Sequence, residues 1–159
     1  VIVDDVNSAE LNKHGGFRRK PTRVYSSRRE IGGNAVIEAR TGGYSEKFDL
    51  IHQRIIMMLS DGSEILGEDQ LVGSGGSKYV VRFHLHPNVQ ATLIQHGTAV
   101  LLKPRRGAGW KLTANEQSIS LEESIYLDGS IRPRRTQQVT IHGELSGRGA
   151  SVKWRLTRI

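Results

Sequence analysis

Two histidines and an arginine share the segment 82–87, which reads Arg-Phe-His-Leu-His-Pro, and their spacing suits either metal binding or hydrogen bonding. Alternate side chains of an extended chain face opposite ways, so Arg82, His84 and His86 share one face of a predicted strand that Pro87 ends. The two histidine Cα atoms would lie roughly 6–7 Å apart. A structural zinc needs four ligands, and the sequence contains no cysteine. We therefore predict no metal here and interpret the three side chains as a hydrogen-bonded polar strand face.

The segment 17–23, Phe-Arg-Arg-Lys-Pro-Thr-Arg, is the densest cluster of positive charge in the chain. Four of its side chains are cationic: Arg18, Arg19, Lys20 and Arg23. Charge-assisted hydrogen bonds from such groups bind sulfate, carboxylate or phosphate, although basic runs are also common on solvated surfaces. We interpret residues 12–22 as an exposed loop or hairpin tip, and the four cations as the candidate polyanion-binding site.

Catalytic motifs are not found in the sequence. It has neither a phosphate-binding glycine loop nor a serine elbow. Glu122 and Glu123 would point to opposite faces of a strand and make a poor acid–base couple. His52 is interpreted as a hydrogen-bonded histidine at the edge of the core, and His14, His96 and His142 as residues in or near turns. We accordingly assign no catalytic residue.

Composition restricts the classes of partner. A net charge of +7 over 159 residues favours nucleic acid, an anionic membrane or an acidic polysaccharide. Nucleic acid is disfavoured because few aromatic residues alternate with the cations. The longest apolar run, at 55–59, is too short for a membrane span or a secretion signal. The lack of cysteine excludes disulfides and thiol catalysis.

Alternating apolar and polar residues recur along the chain, and glycine-rich turns separate them. Strands at this spacing predict one all-β domain, an antiparallel sandwich or barrel. Asp61 and Gly62 predict a hairpin between the apolar run at 55–59 and the next strand. Because that run is apolar on both faces, we expect it to be covered on both sides.

Several segments, taken in order, resemble the C-terminal β-domain of bacterial heparinase II/III-family proteins. They are Val-Asp-Asp-Val-Asn-Ser-Ala-Glu-Leu at 3–11, Gly-Tyr at 43–44, His-Gln-Arg at 52–54, Gly-Glu-Asp-Gln-Leu at 67–71, Arg-Phe-His-Leu-His-Pro at 82–87, Gly-Trp at 109–110, Leu-Glu-Glu-Ser-Ile-Tyr at 121–126, Arg-Arg-Thr-Gln-Gln at 134–138 and Val-Lys-Trp-Arg-Leu at 152–156. Each is weak alone, but their shared order is specific and runs nearly end to end.

The resemblance implies an N-terminal α-helical toroid followed by an antiparallel β-sandwich, here of roughly ten or more strands. It also implies cleavage of uronic-acid polysaccharides by β-elimination, in which a base removes the C5 proton and an acid protonates the leaving oxygen. The family's metal-holding motifs would lie before Val1. Zinc is therefore a cofactor expected only in the parent protein, and none is expected in this chain.

The sequence departs from the family pattern at two places. Pro87 and Asn88 follow His86 where the family's His-x-His-x-Asp motif has its aspartate, so His84 and His86 do not match that motif. Thr41 and two glycines precede Tyr44, which puts a polar role at that turn in doubt.

We therefore expect residues 1–159 to be one β-sandwich domain, the C-terminal part of a longer lyase, with a structural or substrate-cleft role and no activity by itself. Its expected partners are an acidic polysaccharide and the toroid of the same protein. Two alternatives stay open: a non-catalytic carbohydrate- or polyanion-binding module, and a nucleic-acid-binding β-domain.

Overall fold

The structure is a computed structural model that describes residues 1–115, 118–127, 129 and 132–159. Most of these residues lie in strands: β1 Ile2–Val3, β2 Val6–Asn7, β3 Glu10–Leu11, β4 Phe17–Arg19, β5 Tyr25–Ile31, β6 Asn34–Tyr44, β7 Leu50–Met58, β8 Glu64–Gly73, β9 Lys78–His84, β10 Val89–Ile94, β11 Ala99–Pro104, β12 Trp110–Ala114, β13 Ile119–Tyr126, β14 Arg134–Glu144 and β15 Ala150–Arg158. A helix of four residues, α1 Ser45–Phe48, and a 3-10 turn, Gln95–Gly97, complete the regular structure of the described part. Neither helix has the length or the apolar run that crossing a bilayer requires.

The strands pair into two large antiparallel sheets and one small hairpin. One sheet has eight strands in the order β10-β11-β12-β15-β8-β7-β6-β5, and the other has five in the order β13-β14-β9-β1-β2. Strands β3 and β4 form the hairpin. The prediction of an all-β antiparallel sandwich is confirmed.

Strand alternation decides which side chains enter the core between the two large sheets. In the five-stranded sheet Val81 lies opposite Ile141, and both side chains are fully buried. The eight-stranded sheet contributes Leu112, Val152 and Trp154 from its facing side. Burying this apolar surface is the main force that holds the sheets together. We call the side of each sheet that faces the core its inner face and the other side its outer face.

The hairpin predicted at Asp61 and Gly62 is confirmed, since it joins β7 to β8. The Asp61 carboxylate accepts hydrogen bonds from the backbone N–H and the hydroxyl of Ser63, at 2.9 and 2.7 Å. The expectation that β7 is covered on both sides is wrong. Its outer-face residues Ile55 and Met57 line an open cavity of about 610 Å³.

Candidate functional site

Polar side chains of β9, β13 and β14 meet on the outer face of the five-stranded sheet. The strand register places Arg82 opposite Thr140, His84 opposite Gln138, and Gln138 opposite Glu122. Neighbours across antiparallel strands share a face, so these side chains gather at one place. We call the group the Glu122 cluster: Arg82, Glu122, Gln138, Thr140 and His142.

The carboxylate of Glu122 is the centre of this cluster. Arg82 Nη1 donates to Oε2 at 2.7 Å, and the Thr140 hydroxyl donates to Oε1 at 2.9 Å. The side-chain amide of Gln138 donates to Oε2 at 3.3 Å, and His142 Nε2 lies 3.2 Å from Oε1. Each of these bonds fixes a side chain on the outer face, so the cluster is held in place by contacts within the sheet.

The cluster is buried at its base and open at its rim. Thr140 is fully buried and Gln138 almost so, whereas the Glu122 side chain is 35% exposed and the Arg82 side chain 24%. The hydrogen bond from Arg82 is the main reason that the pKa of Glu122 is below its usual value. The carboxylate is therefore ionised at neutral pH and keeps Arg82 paired and oriented.

Of the polar strand face predicted from the sequence, Arg82 and His84 lie on the outer face of β9. His84 Nδ1 lies 2.8 Å from the Ser124 hydroxyl. Strand β9 ends at His84, so His86 lies beyond the strand. The His86 ring contacts the ring of Tyr126 edge-on, with 4.8 Å between centroids.

Sequence reasoning missed Glu122 as the centre of the site and misplaced one of its partners. His142 was expected in or near a turn, but it lies within strand β14. Glu122 was set aside because its neighbour Glu123 faces the other way. Alternation does put Thr140 and His142 on one face, yet nothing local shows that β14 pairs with both β13 and β9.

A second carboxylate, Asp69, forms the centre of a buried cluster on the inner face of the eight-stranded sheet. His52 Nε2 lies 2.7 Å from Asp69 Oδ1, which confirms His52 as a hydrogen-bonded residue at the edge of the core. Arg54 donates through Nε at 2.7 Å and through Nη2 at 3.0 Å, and the Trp154 indole donates at 2.9 Å. We call these four residues the Asp69 cluster.

Burial and hydrogen bonding act in opposite directions on Asp69. Burial raises its pKa, but hydrogen bonds from His52, Arg54 and Trp154 outweigh that effect and hold the pKa at about 2. The Trp154 ring lies directly over Gly67, where a Cβ would come within 2.1 Å of the ring. Phe83 of the other sheet packs edge-on against Trp154, with 5.0 Å between ring centroids. Asp69 thus anchors a contact between the two sheets and has no room for a ligand.

The four cations of the predicted polyanion site are not equivalent. Arg18, Lys20 and Arg23 are exposed, but Arg19 is turned toward the protein. Arg19 Nη1 donates to the carbonyls of Gly43 at 2.6 Å and Ser8 at 3.1 Å. Its Nη2 donates to a third carbonyl and forms an ion pair with Glu10 at 3.4 Å. Arg19 therefore ties the β3–β4 hairpin to the sandwich, while polyanion binding by this segment stays a prediction.

The described ranges bring together no group of three or more histidine, aspartate or glutamate side chains that could hold a metal ion. The two histidines His84 and His86 bond instead to Ser124 and to the backbone N–H of Asn88. Two histidines fall short of the four ligands of a structural zinc, and the expectation that this chain holds no zinc stays a prediction.

Comparisons with known proteins agree with this fold. The structure resembles the heparan sulfate lyase HepC of Pedobacter heparinus with a TM-score of 0.69 and 13% sequence identity, covering 84% of this chain and 21% of that one. It resembles a heparinase III structure with a TM-score of 0.66 and 15% identity, covering 98% and 24% of the two chains. At these identities the likeness shows the fold alone.

One curated relative is closer in sequence. FtsZ-localized protein C of Caulobacter vibrioides is 27% identical over an alignment of 121 positions, which covers 69% of this chain and 21% of the relative. The chain thus spans about a fifth of the length of each of these two proteins. The profile described as "Heparinase II/III-like, C-terminal" matches residues 1–155, nearly the whole sequence. On that match the chain belongs to the heparinase II/III-like C-terminal family.

Proposed function

We propose that this chain is the C-terminal β-sandwich of a polysaccharide lyase, and that the outer face of its five-stranded sheet forms one wall of the cleft for an acidic polysaccharide. The observation that carries the proposal is the Glu122 cluster. It is an ordered polar network on an outer face, with Glu122 and Arg82 partly exposed to solvent. A sheet face without a binding role needs only solvated side chains. Membership of the family supports the reaction class.

The chemistry of this face suits an anionic sugar chain. Arg82, His84 and His142 offer a guanidinium and two imidazoles, and Arg134 lies exposed on the same face opposite Tyr126. A guanidinium held by a carboxylate can still donate from its remaining N–H groups to a uronate or sulfate. Glu122 contributes one negative charge against the two arginines. The wall would bind and orient substrate, while base and acid come from other parts of the parent protein.

The test is product formation by the full-length parent, followed through the ultraviolet absorbance of the unsaturated uronate. Arg82→Ala should lower kcat/KM on the cleaved polysaccharide by about tenfold or more, because it removes a fixed charged donor. Arg155→Ala removes an arginine from the outer face of the other sheet, where its side chain is 56% exposed against 24% for Arg82, and should change kcat/KM by no more than about twofold. The isolated 159-residue chain should form no product.

A folded Arg82→Ala parent with wild-type kcat/KM would reject the cleft wall. Steady product formation by the isolated chain, from heparan sulfate, alginate or hyaluronan, would show that the catalytic base and acid do not come from other parts of the parent protein.

A second candidate is a localisation module without lyase activity. The higher sequence identity to FtsZ-localized protein C, 27% against 13–15% for the lyase structures, favours it. A full-length parent that is folded, forms no product from the three polysaccharides and co-localises with FtsZ as a fluorescent fusion would support this role over the first.

A further inference from the structure

A shallow cavity of about 450 Å³ lies on the outer face of the eight-stranded sheet, at the end formed by β5 and β6. Its lining combines one aromatic ring, two arginines, one carboxylate and one aliphatic side chain around a glycine: Tyr25, Arg23, Arg40, Glu38, Ile51 and Gly42. A concave site with an apolar floor and a few charged groups is the usual form of a small-ligand site.

Tyr25 is the aromatic residue that lines this cavity. It begins the edge strand β5, lies opposite Arg40, and is 54% exposed. Ile51, on the same outer face of β7, is 43% exposed and extends the apolar surface. An exposed aromatic ring in a concavity offers a flat platform for the apolar face of a sugar ring.

Arg23 also lines the cavity, and its backbone has an uncommon conformation. Its φ of 55° is in the left-handed region, which is uncommon for a residue other than glycine. The N–H of Gly42 donates to the carbonyl of Thr22 at 3.1 Å and fixes the turn. A Cβ on Gly42 would lie 3.0 Å from that carbonyl oxygen, a tight contact, and 3.6 Å from the Arg23 Cβ, so a larger residue at position 42 would press on this turn. Such a local constraint is typical of binding sites.

The charge of the cavity is positive despite Glu38. The carboxylate of Glu38 accepts from Arg29 at 3.2 Å, from Arg40 at 2.9 and 3.2 Å, and from the Gln53 amide at 3.1 Å. The hydrogen bond from Arg29 is the main reason that the pKa of Glu38 is lowered. Glu38 is thus ionised and engaged with Arg29 and Arg40, and Arg23 adds a further positive charge to the lining.

We propose that this cavity binds one acidic sugar unit of a polysaccharide, with the sugar ring on Tyr25 and its carboxylate or sulfate on Arg23. The class of ligand is taken from the proposed function, and the inference rests on it to that extent. The site is separate from the proposed cleft wall, because the outer faces of two packed sheets point in opposite directions. It would give the parent protein a second binding site for the same polymer, and two linked sites bind more tightly than either alone.

The test is isothermal titration calorimetry of the 159-residue chain at low salt with a heparan sulfate tetrasaccharide and, separately, with a short inorganic polyphosphate. Tyr25→Ala should weaken tetrasaccharide binding by about fivefold or more, and Tyr25→Phe by no more than about twofold, because the ring is what the sugar needs. Arg23→Gln should weaken binding of both probes by about threefold or more. The matched control is Arg28→Gln, which removes the same charge from the opposite face of β5 and should change either affinity by less than about twofold.

Three results would overturn the proposal. They are no measurable tetrasaccharide binding by the wild-type chain, a Tyr25→Ala variant that binds the tetrasaccharide as well as wild type, or an Arg28→Gln variant as weak as Arg23→Gln. Polyphosphate binding that depends on Tyr25 would also contradict a sugar platform. Because the readout is binding by the isolated chain, it can fail or succeed independently of product formation by the parent, on which the cleft wall is tested.

Discussion

The Asp69 cluster and the Glu122 cluster are built from the same kinds of side chain, but they lie at different depths. Each has a carboxylate bonded to one arginine and one histidine. The Asp69 side chain is 2% exposed and lies between the sheets, whereas that of Glu122 is 35% exposed on an outer face. Burial, and not residue type, therefore separates a structural network from one that a ligand can reach.

The largest expected effect comes from removing the buried carboxylate. Asp69→Ala should lower the free energy of unfolding by about 3 kcal/mol, since it leaves Arg54 and the Trp154 indole without their partner in a low-dielectric site. Urea denaturation measures the change. A loss below about 1 kcal/mol, the usual value for a surface pair, would mean that the two clusters are equivalent after all.

The pH dependence of stability should follow Asp69. Its folded pKa of about 2 is below the ordinary 3.8, so its contribution is complete above about pH 4 and is lost as the pH falls through 2. The shift corresponds to about 2 kcal/mol. Urea midpoints measured from pH 5 to pH 2 should therefore fall less steeply in Asp69→Asn than in wild type. Parallel curves for the two proteins would contradict this assignment.

The indole hydrogen bond should have a smaller effect. Trp154→Phe keeps an aromatic ring over Gly67 and beside Phe83 but removes the donor to Asp69, at an expected cost of about 1–2 kcal/mol. Trp110→Phe is the matched control, because Trp110 is only partly buried. Equal losses in the two variants would show that ring volume, and not the indole hydrogen bond, sets the stability.

The smallest expected effect is on the outer face. Glu122→Gln keeps the shape of the side chain and should lower the free energy of unfolding by less than about 1 kcal/mol, because solvent screens a third of the group. The same urea titration gives the value. A loss as large as that of Asp69→Ala would show that the Glu122 cluster mainly stabilises the fold. It would count against the proposal that this face forms the cleft wall.

The sequence anticipated the parts of the fold that depend on neighbours along the chain. Alternation places Val81 inward and Arg82 outward, and Asp61 with Gly62 specifies a tight turn. The β7 run misled us, because its apolar outer face borders an open cavity instead of a second layer. An apolar side chain on a strand marks a buried surface only where another layer of the protein packs against it.

The amino-acid sequence by itself determined the all-β class, the turn at Asp61 and Gly62, and the ordered segments that carry the resemblance to the family. Only the tertiary structure decided that Arg82 meets Glu122, 40 residues away, and that Arg54 meets Asp69. It also turned Arg19 toward three carbonyls while Arg18 stayed in solvent. The physical reason is that strand period is a local property of the backbone, whereas the pairing of distant strands is fixed by burial of the whole core.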